Sequence, residues 1–136
     1  MKKNEFLEIR FQAFEDLKKE VSKALAKRAK LIQKKNEIFF DTVAAFRNFM
    51  TIQKIEILTI IAVQKPASIY ELAKLVDRDF AAVLRDCTGL EATGFITLKS
   101  TNNAKGSKIP QLRFSYGGII IYLPKNPYQI EFSVAA

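Results

Sequence analysis

Between Pro66 and Gly94 the chain is punctuated at every few residues, and no other stretch restricts its fold so tightly. Lys65-Pro66 must break whatever helix precedes it, because proline has no N–H to give and clashes with the turn before. Ser68 followed by Glu71 is a capping box, in which each side chain satisfies a backbone N–H at the start of a helix. The helix it opens, Ile69–Val76, carries Ile69, Leu72, Ala73 and Val76 on one side. Asp77 to Asp79 supplies turn and cap chemistry. A further helix then runs to about Thr93, with Phe80, Val83, Leu84, Cys87 and Leu90 as its apolar stripe. Gly94 stops it, glycine being the residue that adopts the left-handed conformation at a helix end.

The flanks extend this pattern. Glu37–Phe40 is short and apolar and reads as a brief strand, after which Asp41 or Thr42 can cap a short helix bearing Val43, Ala44, Phe46 and Phe49. Thr51 is the next cap, with Lys54 where a full capping box has Glu. Ile52, Ile55, Leu58, Ile61 and Ala62 follow at helical spacing, predicting a core helix that ends near Val63. Downstream of Gly94, Phe95–Lys99 alternates as a strand, residues 101–110 read as a polar loop broken by Gly106 and Pro110, and Leu112–Phe114 is expected to be the return strand. Ile119–Leu123 is strongly β-forming, and Tyr128–Val134 is a candidate for one more strand.

Asn4 to Lys35 contains neither proline nor glycine and is rich in Ala, Leu, Lys and Glu, which predicts one long helix. Leu7, Phe14, Leu17, Val21, Ala24 and Leu31 fall at alternating positions of a seven-residue repeat, interrupted by Arg10 and Arg28. Such a stripe has to pack on another element or on a second chain, and the expectation is a dimerisation arm. The domains expected are thus 1–36, a basic amphipathic helix, and 37–136, the globular part with its helix pair at 68–93 and a β-appendage at 95–123.

Charge sharpens the functional question. The chain has 136 residues and a net charge of +8. Residues 1–36 contribute +6, residues 37–100 contribute −1 and residues 101–136 contribute +3. Basic character therefore lies at the two ends, as for a polyanion binder. With no histidine in the chain, Ser–His–Asp triads, Cys–His pairs and His-ligated zinc are excluded. No phosphate loop or carboxylate cluster stands out, so neither catalytic residues, metal nor cofactor are expected. A membrane helix needs about 20 apolar residues, and the longest unbroken apolar run is Ile119–Leu123. No apolar signal segment follows the opening lysines, and a single cysteine suits the reducing cytoplasm. Cys87 lies on an apolar stripe and reads as a small core residue.

Core helix, capped helix, short turn, second amphipathic helix, then strand–loop–strand is the order of a winged helix-turn-helix: mainly α with a small antiparallel β-wing, an α+β fold. In such a fold the first helix of the pair braces the second, which can enter the major groove. The segment SIYELAKLVDRDFAAVLRDCTGLEATGFITL also resembles MarR-like winged-helix transcriptional regulators, in particular small DNA-binding regulators of archaea and bacteria. Ser68, Glu71, Leu72, Ala73, Arg78, Asp79, Val83, Arg85, Asp86, Leu90, Glu91 and Gly94 carry the resemblance, which begins near Phe40-Asp41 and extends weakly into Lys108–Pro124. It implies a DNA-binding regulator, usually dimeric. Where that family has polar residues early in the recognition helix, this chain has Ala81 and Ala82, and Asp77 to Gly94 carries a net −2.

The DNA-facing residues expected on this reading are Ser68 and Tyr70 at the brace helix, Arg78, Asp79, Ala81, Ala82 and Arg85 at the recognition helix, and Lys99, Lys105 and Lys108 on the wing. The partners expected are double-stranded DNA and a second copy of the chain, for a transcriptional regulator acting as repressor or autoregulator. The alternative is a protein–protein module on the same scaffold, an antitoxin-like protein whose basic arm holds an acidic partner. For Arg78 and Arg85 the sequence leaves open whether each faces DNA or pairs with a neighbouring aspartate.

Overall fold

The computed structural model describes residues 6–12, 19, 22, 36–100 and 108–125. The chain divides into two units, Met1–Phe49 with Gly117–Ala136, and Met50–Tyr116.

In the first unit, strand β1 (Phe6–Phe11) is the centre of a three-stranded sheet, flanked by β2 (Glu37–Phe40) and β5 (Gly118–Ile121). Both pairings are parallel: Ile9 lies beside Ile38 on one side and beside Ile121 on the other. Parallel neighbours need a long crossover, and residues 12–36 provide the length between β1 and β2. Leu7, Ile9 and Ile38 are buried. Glu8, 2% exposed, is also buried; it accepts from the Tyr122 hydroxyl at 2.8 Å and faces Arg10 at 3.6 Å. Arg10 in turn meets Glu37, the register partner of Glu8, at 3.4 Å and stacks its guanidinium 4.0 Å from the centre of the Tyr122 ring. One cation thus separates two buried carboxylates that would otherwise repel.

After β2, helix α1 (Val43–Phe49) starts at Thr42, whose hydroxyl oxygen accepts from the Ala45 N–H at 3.0 Å. Its Phe46 meets Phe40 edge-on at 5.2 Å and Phe11 at 6.1 Å, an aromatic cluster at the end of the sheet.

The N-terminal helix expected over residues 4–35 is therefore corrected at its start: 6–11 is a strand, and Leu7 is a fully buried sheet residue rather than part of a dimerisation stripe. Phe-Leu-Glu-Ile-Arg-Phe alternates with aromatic and β-branched residues, and ladder bonds to strands on both sides outweigh a few tenths of a kcal/mol per residue of helix propensity. The other stripe residues, Phe14, Leu17, Val21, Ala24 and Leu31, lie outside the described residues.

The second unit holds helices α2 (Ile52–Gln64), α3 (Ile69–Val76) and α4 (Phe80–Thr93), then the antiparallel hairpin β3 (Ile96–Ser100) and β4 (Lys108–Leu112). Each helix begins or ends where the sequence marks it. The Thr51 and Ser68 hydroxyl oxygens accept from the Lys54 and Glu71 N–H groups, and Gly94 closes α4 at φ 103°. Lys65 and Asp77 take the left-handed conformation at the ends of α2 and α3, so each turn follows at once. Ile57, Leu58, Ile61, Leu72, Val83, Cys87, Leu90, Phe95 and Ile96 fill the core.

The α+β class holds. The appendage is shorter than the expected 95–123, because Gly118–Ile121 joins β1 in the other unit. The return strand comes earlier than Leu112–Phe114. Pro110, read as a breaker, sits within β4 opposite Leu98, whose N–H points away from the ladder to Glu91 Oε2 at 3.1 Å. At such a non-hydrogen-bonded pair on an edge strand, the missing N–H of proline costs no ladder bond. The boundary expected at residue 36 likewise gives way to the division at 49/50 and 116/117. Among the described residues no helix is long and apolar enough to cross a membrane.

Candidate nucleic-acid interface

The helix pair α3–α4 is set by local chemistry. Ser68 Oγ accepts from the Glu71 N–H at 3.0 Å, and Glu71 Oε2 reaches back to the Ala67 N–H at 3.2 Å, one residue before the cap. At the far end the N–H groups of Asp77 and Arg78 donate to the carbonyls of Lys74 and Ala73, closing α3 and turning the chain within three residues. Asp79 begins α4 with an extended backbone, and its exposed carboxylate makes no cap hydrogen bond. Burial of Ile69, Leu72, Ala73 and Val76 against Val83, Cys87 and Leu90 fixes which side of α4 looks out.

That outward side presents Phe80, Ala81, Leu84, Arg85 and Thr88, all exposed, while Ala82 is half-buried. The question left open for the two arginines is decided differently for each. Arg78 Nη1 lies 2.8 Å from Asp86 Oδ2, with both side chains about one-quarter exposed or less (26% and 19%). Arg85 is exposed and forms no ion pair among the described residues. Tyr70, 60% exposed, packs its ring 6.3 Å from that of Phe80, and the Lys74 ammonium sits 4.6 Å from the Tyr70 ring centre. These residues line a shallow groove with Ala73, Asp77 and Arg78.

On the hairpin, Lys99 and Lys108 are both exposed, one rung apart at the end that leads into residues 101–107: Lys99 pairs with Ile109 and Lys108 with Ser100. Lys105 lies outside the described residues. The structure therefore brings Tyr70 and Arg78 together in the groove at the α3–α4 junction, leaves Ser68 as the cap at the far end of α3, and places Ala81 and Arg85 on the open face of α4.

Sequence reasoning misses the exposure of Phe80 and Leu84, 44% and 37%, both of which belong to the apolar stripe of α4. Periodicity gives a stripe, but its width is set by how far α3 reaches around α4. Cys87 is fully buried, and burial, with the Asp86 charge adding to it and Arg78 opposing, pushes its thiol up to about 12. Burial likewise pushes the Tyr116 hydroxyl up; it donates to the Phe95 carbonyl at 3.2 Å. Among the described residues no three metal-capable side chains gather at one place.

The class these features define is a small α+β unit of three helices and a hairpin, with one helix held outward by its neighbour. The chain belongs to the HVO_A0114 family, whose model matches residues 49–117, half of the chain and the whole second unit. No curated protein matches it. Among solved structures it is similar to disulfide-formed AbfR at 14% identity and a TM-score of 0.43, over 72% of this chain and 68% of that one.

Proposed function

We infer that the protein is a DNA-binding transcriptional regulator, MarR-like in its winged helix-turn-helix, that acts in the cytoplasm as a repressor or autoregulator. The observation that carries this reading is the braced pose of α4: its inner side is locked to α3, its outer side is open, and Lys99 and Lys108 stand on the hairpin that follows. Helix α4 enters the major groove, and the hairpin lysines, Lys105 with them, hold phosphates. Ser68 and Tyr70 approach the backbone beside it. Two chains pair and place their α4 helices in successive grooves, about 34 Å apart. Affinity comes chiefly from phosphate contacts and falls steeply with salt.

The test is a fluorescence-anisotropy titration of the full chain against duplex from its own promoter region. Binding tighter than about 10 µM at low salt is expected, since even non-specific duplex binding lies near 10⁻⁴–10⁻⁶ M at physiological salt. Absence of binding to any duplex at that level removes the reading.

A second reading, a protein–protein module, is favoured by the exposed apolar side chains Tyr70, Phe80 and Leu84 beside the neutralised Arg78. Affinity capture from the native host separates the two, because a regulator retains DNA whereas a module retains one acidic protein in stoichiometric amount.

A further inference from the structure

We propose that α4 selects DNA by contacts to thymine methyl groups, with Arg85 fixing one flanking guanine. The inference rests on the reading of α4 as a groove-facing helix, and its substance is what that face offers chemically.

At 100° per residue, Ala81, Leu84 and Thr88 occupy the middle of the outward arc, with Phe80 on one flank and Arg85 on the other. Ala81 and Leu84 have no polar side-chain atom. The Thr88 hydroxyl donates to the Leu84 carbonyl at 2.8 Å, so its hydrogen is engaged within the helix and its methyl group and hydroxyl oxygen are what remain. Glu91, exposed further along the same arc, is engaged by the Leu98 N–H through its carboxylate. Arg78 is held by Asp86.

A surface of this kind has no free donor along its centre, and the Thr88 hydroxyl oxygen is its one acceptor, so it has little with which to read the hydrogen-bonding edge of a base. One feature of the major groove is recognised by apolar side chains, the C5-methyl group of thymine. Arg85 is the one cation on this face without an ion pair among the described residues, and a guanidinium matches the two acceptors of guanine, O6 and N7. Lys99 and Lys108 add affinity without preference, because phosphates carry no sequence information. The half-site implied is a short run with thymines at its centre and a single G·C pair at one side.

The experiment starts from duplexes selected by the full chain from a random pool. Each is then titrated beside a version with deoxyuridine in place of thymidine, which removes the methyl group alone. Replacing a contacted thymidine is expected to weaken binding about 3- to 4-fold per methyl. Arg85→Ala is expected to lose about tenfold and to flatten the preference at one G·C pair while leaving the others intact. Thr88→Ser, which lacks the methyl, loses the preference for one thymine, and Thr88→Val keeps it. Unchanged affinity for the deoxyuridine duplexes, with the Arg85→Ala preferences unaltered, overturns this mode of selection and leaves duplex binding standing. If no duplex is bound at all, the mode falls together with the regulator reading.

Discussion

Arg78 and Arg85 sit on the same short segment and carry the same charge, yet the fold treats them differently. Arg78 donates to Asp86 across the turn at 2.8 Å, while Arg85 stands on the open face of α4. Asp86→Ala frees Arg78 and removes one negative charge. It is expected to raise affinity for duplex DNA severalfold, with a steeper salt dependence, at a cost of about 1 kcal/mol in urea unfolding for a partly exposed pair. Cys87 and Tyr116 make a second residue-scale case. Both are acids whose protons are held more tightly in the folded state than in the unfolded one. Their contribution to stability is complete below the unfolded values, 9.0 for the thiol and 10.0 for the phenol, and is lost as pH rises above them. The urea midpoint is expected to fall steadily from pH 9 to pH 11, and Tyr116→Phe to make that fall shallower. In the same series, thiol reagents at pH 8 should leave Cys87 unmodified until the protein unfolds.

At the scale of elements, helices were legible and strand partners were not. Thr42, Thr51, Ser68 and Gly94 act on backbone groups within three or four residues, so their roles are written in the local sequence and the structure repeats them. Strand β1 is different. Its six residues lie in a run with helical composition, and only pairing with Glu37–Phe40 and Gly118–Ile121, far along the chain, makes it a strand. The charged side of that sheet gives a direct test. Arg10 lies between Glu8 and Glu37, adjacent in register and both buried. Arg10→Met leaves two carboxylates facing each other without a counter-charge. It is expected to destabilise this unit by about 2–3 kcal/mol at pH 7, read from urea unfolding.

Taken as a whole, the molecule is a continuous unit of residues 50–116 whose two ends lead into a second unit made from both sides of it in sequence. A fragment spanning 50–116 is therefore expected to unfold cooperatively on its own by circular dichroism. A fragment ending at residue 116 but keeping residues 1–49 should lose the sheet, because β5 is then absent from β1. The sequence alone determined the capped helix pair, the turn between α3 and α4, the glycine stop, and hence the α+β class, because each depends on hydrogen bonds and side-chain spacing only a few residues long. Which strands pair, that Leu7 is sheet core, that Gly118–Ile121 leaves the hairpin and that Phe80 and Leu84 face out were decided by tertiary structure alone. All of these depend on residues brought together from distant parts of the chain or on how far one element covers another, and neither quantity is carried by local periodicity.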